Sequence, residues 1–234
     1  MEQYLITGGF GKLGTELRGK ISALAPTSTE LDILNEECFA RYLANPAVTA
    51  ILHLAAISDS VLAEKDKHHS YRVNVQGTAV TARAAAQFHK KIIYLSTDYV
   101  FPGTRGEYKE TDEPSPGNWY GFTKYAGELE IESRTDDFLI IRTAFRPSPW
   151  PFPTAYSNVM TSADYVDVIA KEIIFALTLN LSGIVHIGTA PKTLFELARR
   201  RNPNIGEAVA PESFPLRKDL CTEKWEEIKR KAVK

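Results

Sequence analysis

The segment NWYGFTKYAGE, residues 118 to 128, sets a tyrosine and a lysine four residues apart, Tyr120 and Lys124. On a helix that spacing puts both side chains on one face. A phenol with its ordinary pKa near ~10 is a poor acid–base group at neutral pH. A lysine ammonium held one turn away favours the phenolate and lowers that value. The spacing alone says little, because both residue types are common, but this is the one Tyr-x-x-x-Lys pair in the chain. Its position says more. One loop upstream, Ser96, Thr97 and Asp98 interrupt the apolar run KIIYLSTDYVF near its C-terminal end. Polar groups there either cap the following loop or face the ligand crevice of an open α/β sheet. With Thr97 holding a substrate oxygen against Tyr120, the tyrosine supplying a proton and a cofactor supplying hydride, the constellation is a hydride-transfer site.

A cofactor needs a cradle, and the stretch TGGFGKLG supplies the residue types for one. Gly8, Gly11 and Gly14 follow the first apolar run and open a helical pattern. One glycine permits a tight turn, one lets backbone approach a pyrophosphate, and one lets the helix pack on the strand, with unpaired helix N–H groups facing the phosphates. Lys12 and Leu13 lie inside the same loop. The choice between NAD and NADP is open in ALAPTSTELDI, which offers neither a clean acidic nor a clean basic residue. Thr27 and Ser28 could hydrogen-bond a phosphate and Lys12 could add charge, which tips the balance toward NADP. Asp32 and Ile33 are expected near the adenine. Ala55 and Ala56, where HLAAISDS leaves a strand, leave room for a cofactor, and Ser96, Tyr120 and Lys124 complete the expected cofactor contacts. Asn74, in an otherwise apolar helical stretch, needs partners if buried and is expected to tie helix to strand.

These side chains must be positioned by a scaffold, and the first half of the chain alternates strand and helix patterns. QYLIT, ALAPT, AILHLAA, KIIYLSTDYVF and FLIIRTAF read as strands. Helices are expected over GKLGTELRGKIS, over EECFARYL with Asn35 as cap, roughly over residues 71–89, and over WYGFTKYAGELEIES. This alternation predicts right-handed βαβ units in a doubly wound parallel sheet of the α/β class. Beyond it, RPSPWPFPTAY has too many prolines to be a regular element. A helix over roughly 163–179, a strand GIVHIGT, a helix TLFELARRR and a last helix TEKWEEIKRK capped by Thr222 follow. We expect residues 1–145 to form the dinucleotide-binding domain. Residues 146–234 should form a small lobe over the C-terminal edge of the sheet, interleaved with it.

The bulk numbers narrow the class. The chain has 234 residues, 44% hydrophobic and 24% charged, with net charge -1. No global field favours nucleic acid or an anionic membrane, and neither is an expected partner. The basic run Arg199–Arg201 reads as a solvated helix end. Cys38 and Cys221 belong to no metal-spaced or redox pair, and no metal is expected. No leader pattern precedes the first strand and no run reaches the length of a membrane span, so a cytoplasmic location is expected, with a homodimer left open.

The combination of TGGFGKLG, LDI, HLAA, STDYVFPG, YGFTKYAGE and IIRTAF, across residues 3 to 145, resembles the extended short-chain dehydrogenase/reductase family, and within it the dTDP-4-dehydrorhamnose reductase group. PLRKDLCTEKWEEI resembles the end of those reductases. The resemblance implies Thr97, Tyr120 and Lys124 as catalytic residues, Lys124 also on the nicotinamide ribose, and Gly8, Gly11 and Gly14 on the pyrophosphate. It implies a nucleotide-linked 4-keto-6-deoxy sugar as substrate. Sugar-nucleotide dehydratases of the family typically carry glutamate at the position of Tyr99, so Tyr99 argues for reduction over dehydration. Ser58, Asp98, Arg146 and Tyr156 are the expected substrate contacts, with Trp150 a further candidate. The region after Arg142 is compressed and proline-rich relative to the family. Two other readings stay open: an epimerase reusing the Tyr–Lys pair, and a non-catalytic dinucleotide binder resembling the regulatory β subunit of methionine adenosyltransferase.

Overall fold

A computed structural model describes residues 3–232. The chain begins with β1 (Gln3–Thr7), α1 (Lys12–Arg18), β2 (Ala23–Leu24), α2 (Glu37–Leu43) and β3 (Val48–His53). It continues through α3 (Ser60–Lys65), α4 (Lys67–Tyr71), a π-turn (Arg72–Gln76), α5 (Gly77–Gln87) and β4 (Lys91–Thr97). A single 3-10 turn (Asp98–Val100) leads by a long loop to α6 (Trp119–Glu132) and β5 (Phe138–Thr143). Short strands β6 (Phe145–Arg146), β7 (Thr154–Tyr156), β8 (Met160–Thr161) and β9 (Asp164–Tyr165) precede α7 (Val166–Leu177) and β10 (Gly183–Ile187). The chain ends with β11 (Lys192–Thr193), α8 (Leu194–Arg199), β12 (Gly206–Ala208) and α9 (Glu223–Ala232).

Six strands form one parallel sheet in the order β10-β5-β4-β3-β1-β2. Alternate residues of each strand serve opposite faces. Ile6, Ala50, Leu52, Leu139, Ile141, Val185 and Ile187 pack under α1, α7 and α9 with Leu13, Leu17, Ile169, Ile173 and Trp225. Leu5, Ile51, Ile92, Tyr94 and Ile140 pack under α2, α5 and α6 with Phe39, Leu43, Val80, Ala84 and Ile131. Coverage on both faces explains the near-continuous apolar runs in the sequence. Burying each large side chain contributes roughly 1.5–3 kcal/mol. Trp225 fastens α9 to this core, and its indole N–H donates to Glu172 Oε2 at 2.7 Å. The order reverses direction between β1 and β3, and that switch point opens a crevice at the strand ends.

The doubly wound parallel sheet is as expected; several local readings need correction. The run ALAPT yields a strand of only two residues, since Pro26 has no N–H for the ladder. The run KIIYLSTDYVF ends as strand at Thr97, whose Oγ1 accepts from Tyr99 N–H at 3.2 Å and turns the chain. The helix expected over 71–89 starts earlier, at Lys67, where Asp66 accepts from His69 N–H, and passes through the π-turn. The helix expected from residue 163 starts at Val166, because Asp164 and Tyr165 are extended and pair with Phe145 and Arg146. The proline-rich stretch does hold regular structure: past its last proline, Thr154–Tyr156 pairs with Gly206–Ala208. Asn35 accepts from Glu37 N–H at the start of α2, and Thr222 immediately precedes α9. The basic run is the exposed end of α8, as expected, and two of its arginines are also paired. Arg200 reaches Asp164 at 3.2 Å, while Arg201 clasps Asp167 with two hydrogen bonds and lies 4.1 Å over the Tyr165 ring. No helix among the described residues is long and apolar enough to cross a membrane.

Candidate active site

The loop between β1 and α1 is built on close approach. Gly8 has φ +72°, and a Cβ there would lie 2.6 Å from the backbone N of Ala55. A Cβ at Gly14 would lie 2.6 Å from Gly9 Cα. Gly11 is different: its Cβ would meet only Gly8 O, at 3.3 Å, so the space above it is open. Gly11 also gives α1 no side-chain cap, which leaves the first-turn N–H groups free for an external acceptor. Above this cradle lies a cavity of about 950 Å³. Gly8, Gly11, Lys12, Leu13 and Gly14 line its floor together with Ala55, Ala56 and Ser58 beyond β3. Backbone that is glycine-lined, uncapped and open at Gly11 fits a pyrophosphate.

The same cavity receives Ser96, Thr97, Asp98 and Tyr99 from the end of β4, and Tyr120 and Lys124 from the first two turns of α6. Asn118 caps α6 by accepting from Gly121 N–H at 2.8 Å. A Cβ at Gly121 would lie 2.1 Å from the Tyr99 carbonyl oxygen, so glycine there lets the turn after β4 press against the helix start. That contact brings Thr97 beside Tyr120. The Tyr99 and Tyr120 rings meet edge-on at 5.8 Å. Burial raises the Tyr120 pKa, opposed by its hydrogen bond to Thr97. Burial lowers the Lys124 pKa to about 7, opposed by the Glu128 carboxylate. The Lys124 ammonium lies 3.9 Å over the Tyr94 ring. The expected lowering of the tyrosine pKa by the lysine is therefore overridden: in this arrangement desolvation decides both groups.

Beneath the pair runs a buried polar network. Glu128, one turn beyond Lys124, accepts two hydrogen bonds in a fork from Arg142, at 3.0 Å from Nε to Oε1 and 2.7 Å from Nη2 to Oε2. The Ser96 hydroxyl donates to the same carboxylate. Arg142 and Glu128 are 2% and 1% exposed, so α6 is pinned to β4 and β5 by a desolvated ion pair. Asn74 does the same from another side. It donates to Thr123 Oγ1 at 2.9 Å and to Ile57 O at 3.1 Å, and accepts from Ile57 N–H at 2.7 Å. It thus ties the loop after β3 to α6, a wider role than the helix-to-strand tie expected.

Of the residues singled out in the sequence, Gly8, Gly11, Lys12, Leu13, Gly14, Ala55, Ala56, Ser58, Ser96, Thr97, Asp98, Tyr120, Lys124, Arg146, Trp150 and Tyr156 line one cavity. The Ser96 hydroxyl, however, is committed to Glu128. Thr27, Ser28, Asp32 and Ile33 are not among the lining residues. The Thr27 hydroxyl and N–H both donate to Glu30, Asp32 accepts from Leu34 N–H, and Ile33 packs against Gly77. Local turn bonding and core packing use Thr27, Asp32 and Ile33, and Lys12 is the cation that lines the cradle. The sequence reading missed the apolar wall. Phe145, Phe152, Leu194 and Phe214 close the cavity, and Trp150 N–H donates to Thr154 O at 3.1 Å to brace the proline-rich loop. The dense run of aromatics and prolines was the available signal. Two wall groups, Asp98 Oδ2 and Thr143 Oγ1, are buried with no hydrogen-bond partner among the described residues. Among the described residues no cluster of His, Cys, Asp or Glu is arranged to hold a metal ion.

Comparison with known proteins identifies the family. Residues 2–171 match the model of the RmlD substrate binding domain family. A dTDP-4-dehydrorhamnose reductase of Aggregatibacter actinomycetemcomitans is 30% identical over 207 residues, covering 86% of this chain and 68% of that one. A dTDP-4-keto-6-deoxy-D-glucose reductase of Streptomyces niveus is 34% identical over 151 residues, 62% of this chain and 52% of its own. The chain thus spans about half to two thirds of the length of the curated relatives it matches. The crystal structure of a dTDP-4-dehydrorhamnose reductase from Bacillus anthracis in complex with NADP superposes with a TM-score of 0.85 at 25% identity, covering 97% of this chain and 92% of that one. On these matches the chain belongs to the RmlD substrate binding domain family, within the dTDP-4-dehydrorhamnose reductase-like extended short-chain dehydrogenase/reductases.

Proposed function

We propose that the protein is an NADPH-dependent reductase of a nucleotide-linked 4-keto-6-deoxy sugar, with Tyr120 as proton donor. The observation that carries this reading is convergence: Thr97, Tyr120 and Lys124 open into the same cavity as Gly8, Gly11 and Gly14. NADPH, when bound, supplies the hydride. Tyr120 gives its proton to the carbonyl oxygen of the sugar. Burial keeps that proton on the phenol, which is the form a reduction requires. Thr97, hydrogen-bonded to Asp98 at 3.0 Å, orients the substrate oxygen beside the phenol. Lys124, on the same helix face, supplies positive charge for the phenolate left behind. Names of relatives support the substrate class, and the NADP in the Bacillus anthracis relative, together with Lys12 in the cavity, supports the phosphorylated cofactor.

We assign residues 1–145 to cofactor binding and residues 146–234 to a small substrate lobe interleaved with the sheet, to which α7, β10 and α9 return. Phe145, at their junction, with Arg146, Trp150, Phe152, Tyr156, Leu194 and Phe214 contributes the wall facing the glycine loop. Lys124 would serve a dinucleotide binder as well as an enzyme, but Tyr120 beside Thr97 at the cradle favours chemistry. Replacing Tyr120→Phe should leave NADPH affinity within about twofold and cut reductase turnover by ~10²–10⁴-fold, the usual contribution of a positioned acid. Turnover that survives the substitution removes Tyr120 from the proton-donor role.

A further inference from the structure

Lys218 is 2% exposed, and its ammonium has no hydrogen-bond partner among the described residues. Burying an unpaired ammonium opposes folding, whereas a methionine would fill similar space without that penalty. The neighbouring carboxylate, Asp219, does not relieve it. Asp219 accepts from Arg217 Nε at 3.3 Å and from Glu107 N–H at 2.9 Å. The backbone around the lysine is closely fitted. Gly103 has φ +77°, and a Cβ there would lie 2.9 Å from Lys218 Cγ. Lys218 N–H donates to Met160 O at 3.2 Å and Arg217 N–H to Gly103 O at 2.9 Å, which fixes the backbone that carries it.

What the ammonium does touch is aromatic. It lies 4.1 Å over the Tyr99 ring and 5.5 Å from the Phe214 centroid. Both rings line the cavity, and the Tyr99 ring meets the Tyr120 ring edge-on at 5.8 Å. The order is therefore ammonium, Tyr99, Tyr120, running from the C-terminal segment to the proton donor. A desolvated cation on a tyrosine face is among the stronger cation–π contacts, because no water competes for the charge.

We propose that Lys218 is a positioning residue of this active site: its buried ammonium holds the Tyr99 ring in place, and Tyr99 in turn holds Tyr120 at the angle from which the proton is delivered. The idea rests on the reading of Tyr120 as proton donor, and it adds that the C-terminal segment sets the geometry of the chemistry as well as closing the pocket. A stabilising role for Lys218 predicts that its loss weakens the fold. A positioning role predicts the reverse pattern, a fold no weaker and a slower reaction.

Lys218→Met separates the two. We expect a melting temperature equal to or above the wild type, NADPH affinity and sugar KM within about twofold, and kcat lower by up to about 30-fold, the size of a lost desolvated cation–π contact. In a Tyr99→Leu background, where there is no ring to hold, Lys218→Met should change kcat by less than about twofold. Unchanged kcat in Lys218→Met overturns the proposal, as does a lowered melting temperature or an equal loss in the Tyr99→Leu background. A readout independent of turnover guards against a wrong substrate. In protein labelled with fluorotyrosine, with the Tyr99 and Tyr120 resonances assigned by their phenylalanine variants, Lys218→Met should shift both. If the wild type reduces no sugar nucleotide, the reductase reading fails and these resonances decide: movement at Tyr120 upholds the positioning role, and an unmoved Tyr120 resonance overturns it.

Discussion

Burial holds the proton on Tyr120 and draws it away from Lys124, so the two groups respond to pH in different windows. The phenol stays protonated throughout the physiological range. Lys124 is cationic below about 7 and neutral above. The interaction of its charge with an anionic dinucleotide is therefore present at low pH and lost as pH rises through about 7. Fluorescence titration with NADPH should show Kd rising up to ~10-fold between about pH 6 and about pH 8.5, the size of one partly buried charge interaction. Lys124→Met should bind more weakly and with no such slope. An unchanged slope in that variant assigns the pH dependence elsewhere. The residues behind this behaviour were legible as types and spacings, since Tyr120 and Lys124 are four apart and Thr97 ends a strand. Their titration was not, because desolvation depends on what covers a group in three dimensions. Nor did the spacing reveal that Ser96 donates to Glu128, which itself is seized by Arg142 from a strand fourteen residues on.

Among the elements, the glycine loop and the proline-rich loop behave as opposites. The first was readable because each glycine answers a local steric demand, and Gly8 and Gly14 indeed face backbone at 2.6 Å. Gly11 meets no such demand, since a Cβ there would reach only Gly8 O, at 3.3 Å. Gly11→Val should melt within a few degrees of the wild type yet lose NADPH binding by more than ~100-fold. Gly14→Ala should destabilise the protein by ~1–3 kcal/mol, the usual scale of forced overpacking. Calorimetry and ligand titration on both variants check the contrast, and equal loss of stability in the two would show that Gly11 is structural. The proline-rich loop resisted reading because its order comes from partners distant in sequence: Thr154–Tyr156 takes its ladder from Gly206–Ala208, and Arg201 reaches Asp167 to hold α8 against α7. Thr27, Ser28, Asp32 and Ile33 lie outside the cavity lining, and their types did not show it. Side chains such as Thr27 and Asp32 satisfy themselves within their own turn, a choice that residue type alone does not reveal.

At the scale of the molecule, two neutral imidazoles make the fold sensitive to acid. His53 lies between Thr7 and Thr78 at 2.6 and 3.0 Å, and His186 meets Tyr108 O at 3.0 Å. Burial pushes both down to about 3. Between the ordinary histidine value near ~6.5 and about 3, the unfolded chain takes up these protons and the folded chain does not, so stability falls as pH falls, by up to ~1.4 kcal/mol per pH unit for each histidine. His186→Gln should flatten the decline of melting temperature across that window, and an identical decline would clear His186 of responsibility. The alternation of strands and helices, and hence the sheet that carries all these groups, was plain from the sequence because parallel strands buried on both faces need continuous apolar runs. The central claim is that this sheet presents a reductase site, and the most direct measurement is NADPH oxidation by the purified protein with dTDP-linked 4-keto-6-deoxy sugars. The account predicts one NADPH consumed per sugar reduced, with NADH slower. Tight NADPH binding with no oxidation on any such sugar would contradict it and return the chain to a dinucleotide binder.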